Sequence, residues 1–383
     1  MLYEWYYIII YIMRTAKKII RDILPYGIVR IHQKKRTLKT NELDFWYNYK
    51  KYINAGEYVD FIKTNPFSTV VSVQGFGYSG SGAVIDLLRE YDTLQVLGYV
   101  DIEGTKTDVS NKFEEINILR VAGGLFEIEK YLGSDNIYQN DALLHRLINL
   151  FEKSSLYQAL PMSQKYFYEF IRRISRTFVN SSFGQTYNRH INYKGINDVL
   201  ILEDMSIKSF RNLCKEFLYS IFSLIHTDPN MSVLVLDQFV NDREFNMERY
   251  LEYVPNLKMI TVYRDPRDIY AYAKKEVGGW IPHTSVEEFI QWYNVITKKF
   301  NMKTDKYHVV QFERLINDYD NVVSSVEQYI GLNSSLHKRM GTCLDVSCSR
   351  KNICLWKQNN KETDSDFIQI YNNFQQLCYM PDL

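Results

Sequence analysis

Hydrophobic and polar positions change period several times along this chain, and each change marks an element. From Val70 to Glu90, VVSVQGFGYSGSGAVIDLLRE, an apolar run stops at a glycine-rich stretch and resumes with helical spacing. Val70, Val71 and Val73 predict a buried strand, and Ala83, Val84, Ile85, Leu87 and Leu88 predict a helix with one buried side. Further strands are predicted at Leu94 to Val100, with Asp101 and Glu103 just beyond it, at Met231 to Val240, at Ile260 to Tyr263 and at His308 to Phe312. A helix closing at Gly331 follows the last of these. Phe45, Trp46, Tyr49 and Tyr52 recur at near-helical steps and predict a packing helix ahead of the first strand. Between about Asn140 and Met231, LLHRLINLFEK, QKYFYEFIRRISRTF and FRNLCKEFLYSIFSLI read as helices inserted between strands. The pattern predicts an α/β domain over 68–383 around a mainly parallel central sheet, with a large helical insertion at about 140–230. A packing-helix region at 41–67 precedes it, behind a separate N-terminal segment, 1–40.

That N-terminal segment joins a short apolar-aromatic run, Leu2 to Met13, to a basic tract holding Arg14, Lys17, Lys18, Arg21, Arg30, Lys34, Lys35 and Arg36. The run is too short to span a bilayer, which takes about 20 apolar residues. Its aromatic and basic residues suit either an interfacial helix on an anionic membrane face or a helix packed on the domain. Over all 383 residues the formal charge is +1, which gives no global signature for nucleic acid, and no nucleic-acid partner is expected. Five cysteines contain no C-x-x-C pair, and no leader with a small-residue cleavage site is evident, so a reduced, cytoplasmic setting is expected, at the inner membrane face if the N-terminal segment binds there. The four C-terminal cysteines match no standard zinc spacing, and no metal is expected.

The glycine-rich stretch has a chemical reading. A strand that turns tightly into a helix gathers unpaired backbone N–H groups at the helix start, where they and the helix dipole attract anions. A phosphate or phosphosulfate over Tyr78 to Gly82 is the functional reading, and a plain strand-to-helix turn is the alternative. Gly75 and Gly80 keep the spacing of a nucleotide-hydrolysing loop, but Ser81 and Gly82 stand where its Lys and Ser/Thr would be, which disfavours ATP or GTP chemistry. Arg264 falls at the carboxyl end of a predicted strand, and Pro266 and Asp268 open the next helix. Arg264 either holds a second phosphate or pairs with Asp265 or Asp268. Asp237 also ends a predicted strand, on the sheet edge where ligands bind. Arg350 and Lys351 are adjacent in a predicted loop, followed by Trp356 and Lys357.

In this order the features resemble sulfotransferases that use 3′-phosphoadenosine 5′-phosphosulfate. The family's K-S-G-T-T loop, which binds the 5′-phosphosulfate, is similar to Tyr78-Ser79-Gly80-Ser81-Gly82 after Gly77. Its R-x-P-x-D element, whose arginine holds the 3′-phosphate, looks like Arg264-Asp265-Pro266-Arg267-Asp268. Its R-K-G segment, which closes over the same phosphate, resembles Arg350-Lys351-Asn352. The resemblance implies a P-loop NTPase-like three-layer fold and metal-free transfer of a sulfuryl group to a hydroxyl or amine. The acceptor expected by analogy is a carbohydrate, as a cell-surface polysaccharide or glycolipid. Glu115 is the first candidate for the base that takes the acceptor proton, and Asp237 the second. Three departures stand out: Tyr78 replaces the basic residue, Gly82 replaces the final hydroxyl, and Tyr272 sits where a serine is expected eight residues after Arg264. Tyr78 bears on catalysis, because the usual cation stabilises charge on the bridging oxygen. Two rival readings follow: a P-loop kinase or nucleotide hydrolase, suggested by Asp237, and a non-catalytic nucleotide-binding module, suggested by Tyr78.

Overall fold

The computed structural model describes residues 45–97, 124–152, 160–179, 198–226, 228–240, 246–275, 280–358 and 364–380, with single positions 154 and 157. The basic N-terminal segment and Glu115 lie outside these. Two compact units divide between Tyr58 and Val59. In the first, helix α1 (45–55) buries Phe45, Trp46, Tyr49 and Tyr52, the four aromatics that predict it. Phe45 stacks on Tyr49 with ring centroids 5.5 Å apart.

The second unit is built on parallel strands. In chain order, β1 (Thr69–Gly75), α2 (Ser81–Leu88) and β2 (Leu94–Leu97) come first, followed by α3 (Leu125–Glu129), α4 (Ile137–Glu152) and α5 (Pro161–Ile174). A two-stranded ribbon follows, β3 (Ser175–Val179) and β4 (Asp198–Leu202), then α6 (Ile207–Ile225), β5 (Val233–Asp237), α7 (Met247–Leu251) and β6 (Leu257–Tyr263). The chain continues as α8 (Pro266–Lys275), α9 (Val286–Thr297), β7 (His308–Gln311), α10 (Phe312–Asn317), α11 (Tyr319–Ile330), α12 (Val346–Arg350) and α13 (Asp364–Phe374). Among the described residues the main sheet has the order β2-β5-β1-β6-β7, and every pairing in it is parallel. This is the α/β architecture with a mainly parallel central sheet that the pattern predicts, with the P-loop-like β1–α2 connection that the resemblance implies. Strand β1 lies centrally, which is why its residues 70–74 are all buried and read as a continuous apolar run. Val71, Val73, Val84, Leu88, Ile260, Val262, Phe312 and Leu315 share one core cluster. Burying each such side chain contributes roughly 1.5–3 kcal/mol, and together they clamp the start of α2 against the ends of β1, β6 and β7.

The inserted region is less uniformly helical than its pattern predicts. Helix α5 stops at Ile174, because Ser175 is extended (φ −141°, ψ 154°), and Ser175–Val179 pairs antiparallel with Asp198–Leu202. The apolar steps of QKYFYEFIRRISRTF carry on through this break, but Thr177, Phe178 and Val179 are β-favouring residues that take the strand once a partner is present. Within α5, Glu169 is buried and balanced by Arg172 at 2.7 Å and Arg173 at 2.6 Å.

Candidate anion-binding site

The loop after β1 is held by its own small residues. Ser79 is buried, and its Oγ accepts a hydrogen bond from the Phe76 N–H at 3.2 Å. Its hydroxyl therefore shapes the turn, although the sequence groups it with the ligand-binding residues. At Gly80 a left-handed conformation (φ 86°, ψ 18°) starts α2, with no side chain capping the helix. A Cβ there would stand 2.3 Å from the ring of Phe312, so the glycine permits close approach of the start of α10. Gly82 lies in the first turn, and a Cβ on it would meet nothing within 4 Å. A side chain at Gly82 would therefore have room, and no side chain caps the helix start beside it.

Arg264, at the end of β6, joins the distant motifs. It is only 4% exposed, and its Nη1 donates to the Tyr78 carbonyl at 3.1 Å. Its Nη2 donates to the Asn352 carbonyl, and its Cζ lies 5.3 Å from the centre of the Phe312 ring. One guanidinium therefore ties the loop to the C-terminal segment, while its Nε is buried with no protein partner. Burial pulls its pKa below the usual guanidinium value, against the pull of Asp268, Glu313 and Asp265. The alternative, an ion pair of Arg264 with Asp265 or Asp268, is not found among the described residues, where Asp265 is already engaged. Arg267 takes that carboxylate instead, at 2.6 Å, with both side chains almost fully buried.

The carboxylates around Arg264 set the backbone. Asp268 accepts from the N–H groups of Cys354 (2.8 Å) and Trp356 (3.2 Å), fixing the C-terminal segment to α8. Burial lifts its pKa to about 6, partly offset by Arg264. Glu313 is 0% exposed and accepts from the Asp265 N–H at 2.8 Å, and its Oε2 has no protein partner. Burial raises its pKa to about 8. Arg267 also lies 4.1 Å over the Trp356 ring.

The other predicted residues fall as follows. Arg350 and Lys351 are exposed and belong to the end of α12 and its cap, not to a loop; what reaches Arg264 is the carbonyl of the next residue, Asn352. Asp237 ends β5 in register with Val73 of β1, and Gln238 after it donates its N–H to the Val73 carbonyl at 2.7 Å. Tyr78 and Tyr272, two departures from the family pattern, touch each other edge-on with centroids 4.8 Å apart. Among the described residues, the non-glycine positions with positive φ are Tyr78 (48°), Gln238 (51°) and Cys354 (56°). They lie in the loop, just past Asp237 and in the C-terminal segment, so backbone strain concentrates around this edge of the sheet. Glu313, Phe312 and the Asn352 carbonyl escape the sequence reading. The only trace of the first two is their place at the end of a predicted strand.

No family model matches the chain, and no curated protein matches it. Among solved structures it is similar to the sulfotransferase domain of a Synechococcus olefin synthase, over 84% of this chain and 100% of that domain, at 11% identity and a TM-score of 0.36. A sulfotransferase of Mycobacterium tuberculosis is similar over 88% of this chain and 82% of that one, at 13% identity and a TM-score of 0.36. One of Mycobacterium avium is similar over 82% and 76%, at 10% identity and a TM-score of 0.33.

Proposed function

We propose that this chain is a sulfotransferase that moves a sulfuryl group from 3′-phosphoadenosine 5′-phosphosulfate to a hydroxyl or amine of a carbohydrate-type acceptor, such as a cell-surface polysaccharide or glycolipid. The observation that carries the reading is the placement of Arg264, which binds the Tyr78 and Asn352 carbonyls and keeps a buried, unpaired Nε. The three segments of the resemblance, far apart in sequence, meet at this one guanidinium. A buried cation with a spare donor, beside an uncapped helix start, suits a ligand with two separated anionic groups.

When bound, the donor supplies the sulfuryl group and a bisphosphate leaving group. The N–H groups of Ser79 to Gly82 would hold its 5′ end, and Arg264, with Arg350 and Lys351, its 3′-phosphate. In this reading the loop orients the reacting sulfur, and Asp237 or Glu115 takes the acceptor proton. Tyr78 replaces in the loop sequence the lysine that would neutralise developing charge, so transfer is expected to be slower than with an ammonium there. The Tyr78–Tyr272 contact favours a second reading, a module that binds the nucleotide without turnover, because it puts two aromatic rings where the family has a cation and a hydroxyl. The N-terminal basic segment is proposed to bring the domain to an anionic membrane face.

The test is calorimetric titration with 3′,5′-adenosine bisphosphate, ATP plus magnesium, and the Arg264→Ala variant. The bisphosphate is expected to bind in preference to ATP and to lose at least tenfold in affinity in the variant. Preference for ATP with magnesium, or binding of neither, overturns the proposal.

A further inference from the structure

Trp280 and Tyr272 border the loop where it passes from Gly77 to Tyr78. A Cβ on Gly77 would stand 2.6 Å and 2.7 Å from two ring carbons of Trp280, so the indole occupies the space that the missing side chain leaves. Trp280 meets Trp292 edge-on, centroids 5.6 Å apart, and Trp292 leans on Phe289 at 5.7 Å. Ile281, the next residue, is buried and anchors the backbone. Tyr78, one residue beyond Gly77, carries the Tyr272 contact. Trp280 is nevertheless 65% exposed. An indole held along one edge and open elsewhere is ordered before any ligand arrives, so stacking on it costs little side-chain entropy.

The position separates Trp280 from the anion-holding groups. Phe312 covers Gly80, and Arg264 lies over Phe312 and reaches the Asn352 carbonyl. Trp280 meets the loop at Gly77, its other glycine of positive φ. We propose that Trp280, backed by Trp292, is the platform on which a pyranose ring of the acceptor stacks beside the loop. The C–H face of a pyranose fits an open flat indole while its hydroxyls stay in water. An alkyl chain would gain little from a surface that leaves most of it wet. The inference rests on the sulfotransferase reading and deepens its acceptor class.

Saturation-transfer NMR with the methyl glycosides of galactose, glucose and N-acetylglucosamine tests it on wild type, Trp280→Ala and Trp280→Phe, with p-nitrophenol as a separate arm. Each protein is also titrated with 3′,5′-adenosine bisphosphate. The expected result is transfer to the ring C–H protons of at least one glycoside in wild type. Trp280→Ala should lose about tenfold or more in affinity for it, and Trp280→Phe should recover most of that loss, with bisphosphate affinity equal in all three. No glycoside signal in wild type, or an unchanged signal in Trp280→Ala, overturns the proposal. Tighter binding of p-nitrophenol than of every glycoside overturns it in favour of a phenolic acceptor. Loss of bisphosphate affinity in Trp280→Ala overturns it by assigning the indole to the nucleotide base. If wild type binds a glycoside through Trp280 but no bisphosphate, the platform stands and the transfer reading fails.

Discussion

The two ends of the β1–α2 loop are built in opposite ways. At Gly80 the neighbours are deep: Phe312 is buried against the glycine, and Arg264, Asp265, Asp268 and Glu313 are all nearly or fully buried beyond it. At Gly77 the neighbour is an indole open to solvent. The deep end is over-determined by main-chain partners, whereas the open end rests on ring contacts at the surface. A scaffold that binds one invariant ligand and one variable ligand gains from this division, because residues can change at the open end without disturbing the buried charges.

The comparison breaks most severely at Asp265. Removing this carboxylate in Asp265→Ala strands the buried Arg267 and takes an acceptor from the Arg267 and Tyr379 N–H groups. A loss of about 3–5 kcal/mol in denaturant unfolding is expected. The two glycines sharpen the contrast. Both have positive φ, so alanine strains either by about 1–2 kcal/mol. In Gly80→Ala the new methyl also meets a buried ring with nowhere to go, which adds about 1–3 kcal/mol. In Gly77→Ala the Trp280 ring can swing into solvent, so this variant should melt closer to wild type.

Glu313 gives the deep end a pH signature. Its folded pKa is raised to about 8 from the ordinary glutamate value of 4.5, so the folded protein holds this proton more tightly than the unfolded chain. Its contribution is fully present below the unfolded pKa and is lost as pH rises through the folded one. Asp268, raised to about 6 from 3.8, acts in the same direction at lower pH. The melting temperature of Glu313→Gln should therefore fall less than that of wild type between pH 5 and pH 8; parallel curves would remove Glu313 from this account. The smallest effect is expected at Gly82, where a side chain meets open space. Gly82→Ser should change stability by no more than about 0.5 kcal/mol and, if the loop binds the donor, strengthen bisphosphate binding through the added hydroxyl.

Much of the frame was legible because it is written in runs of side chains. The valines of β1, the leucines of α2 and the apolar ends of β5 and β6 each show their burial in their period. Arg264 was legible as a strand-end residue, but its partners were not, since the carbonyls of Tyr78 and Asn352 leave no mark in a side-chain pattern. Arg350 and Lys351 drew attention by their charge, while the atom that reaches Arg264 belongs to the backbone next to them. Glu313 looks like any surface carboxylate, and only the tertiary fold buries it. Trp280 carries no periodic signal because its neighbour is a glycine 203 positions earlier. The β3–β4 ribbon was hidden by apolar spacing that serves helix and strand alike.

The bond from Arg264 to Asn352 spans 88 residues, and the bonds from Asp268 to Cys354 and Trp356 span 86 and 88. During synthesis the loop and the arginine emerge long before the segment that fixes them. A nascent chain that has formed β1 through β7 still lacks the Asn352 carbonyl that binds the guanidinium and the amides that bind Asp268. The order of translation thereby separates completion of the sheet from the fixing of the guanidinium at its edge.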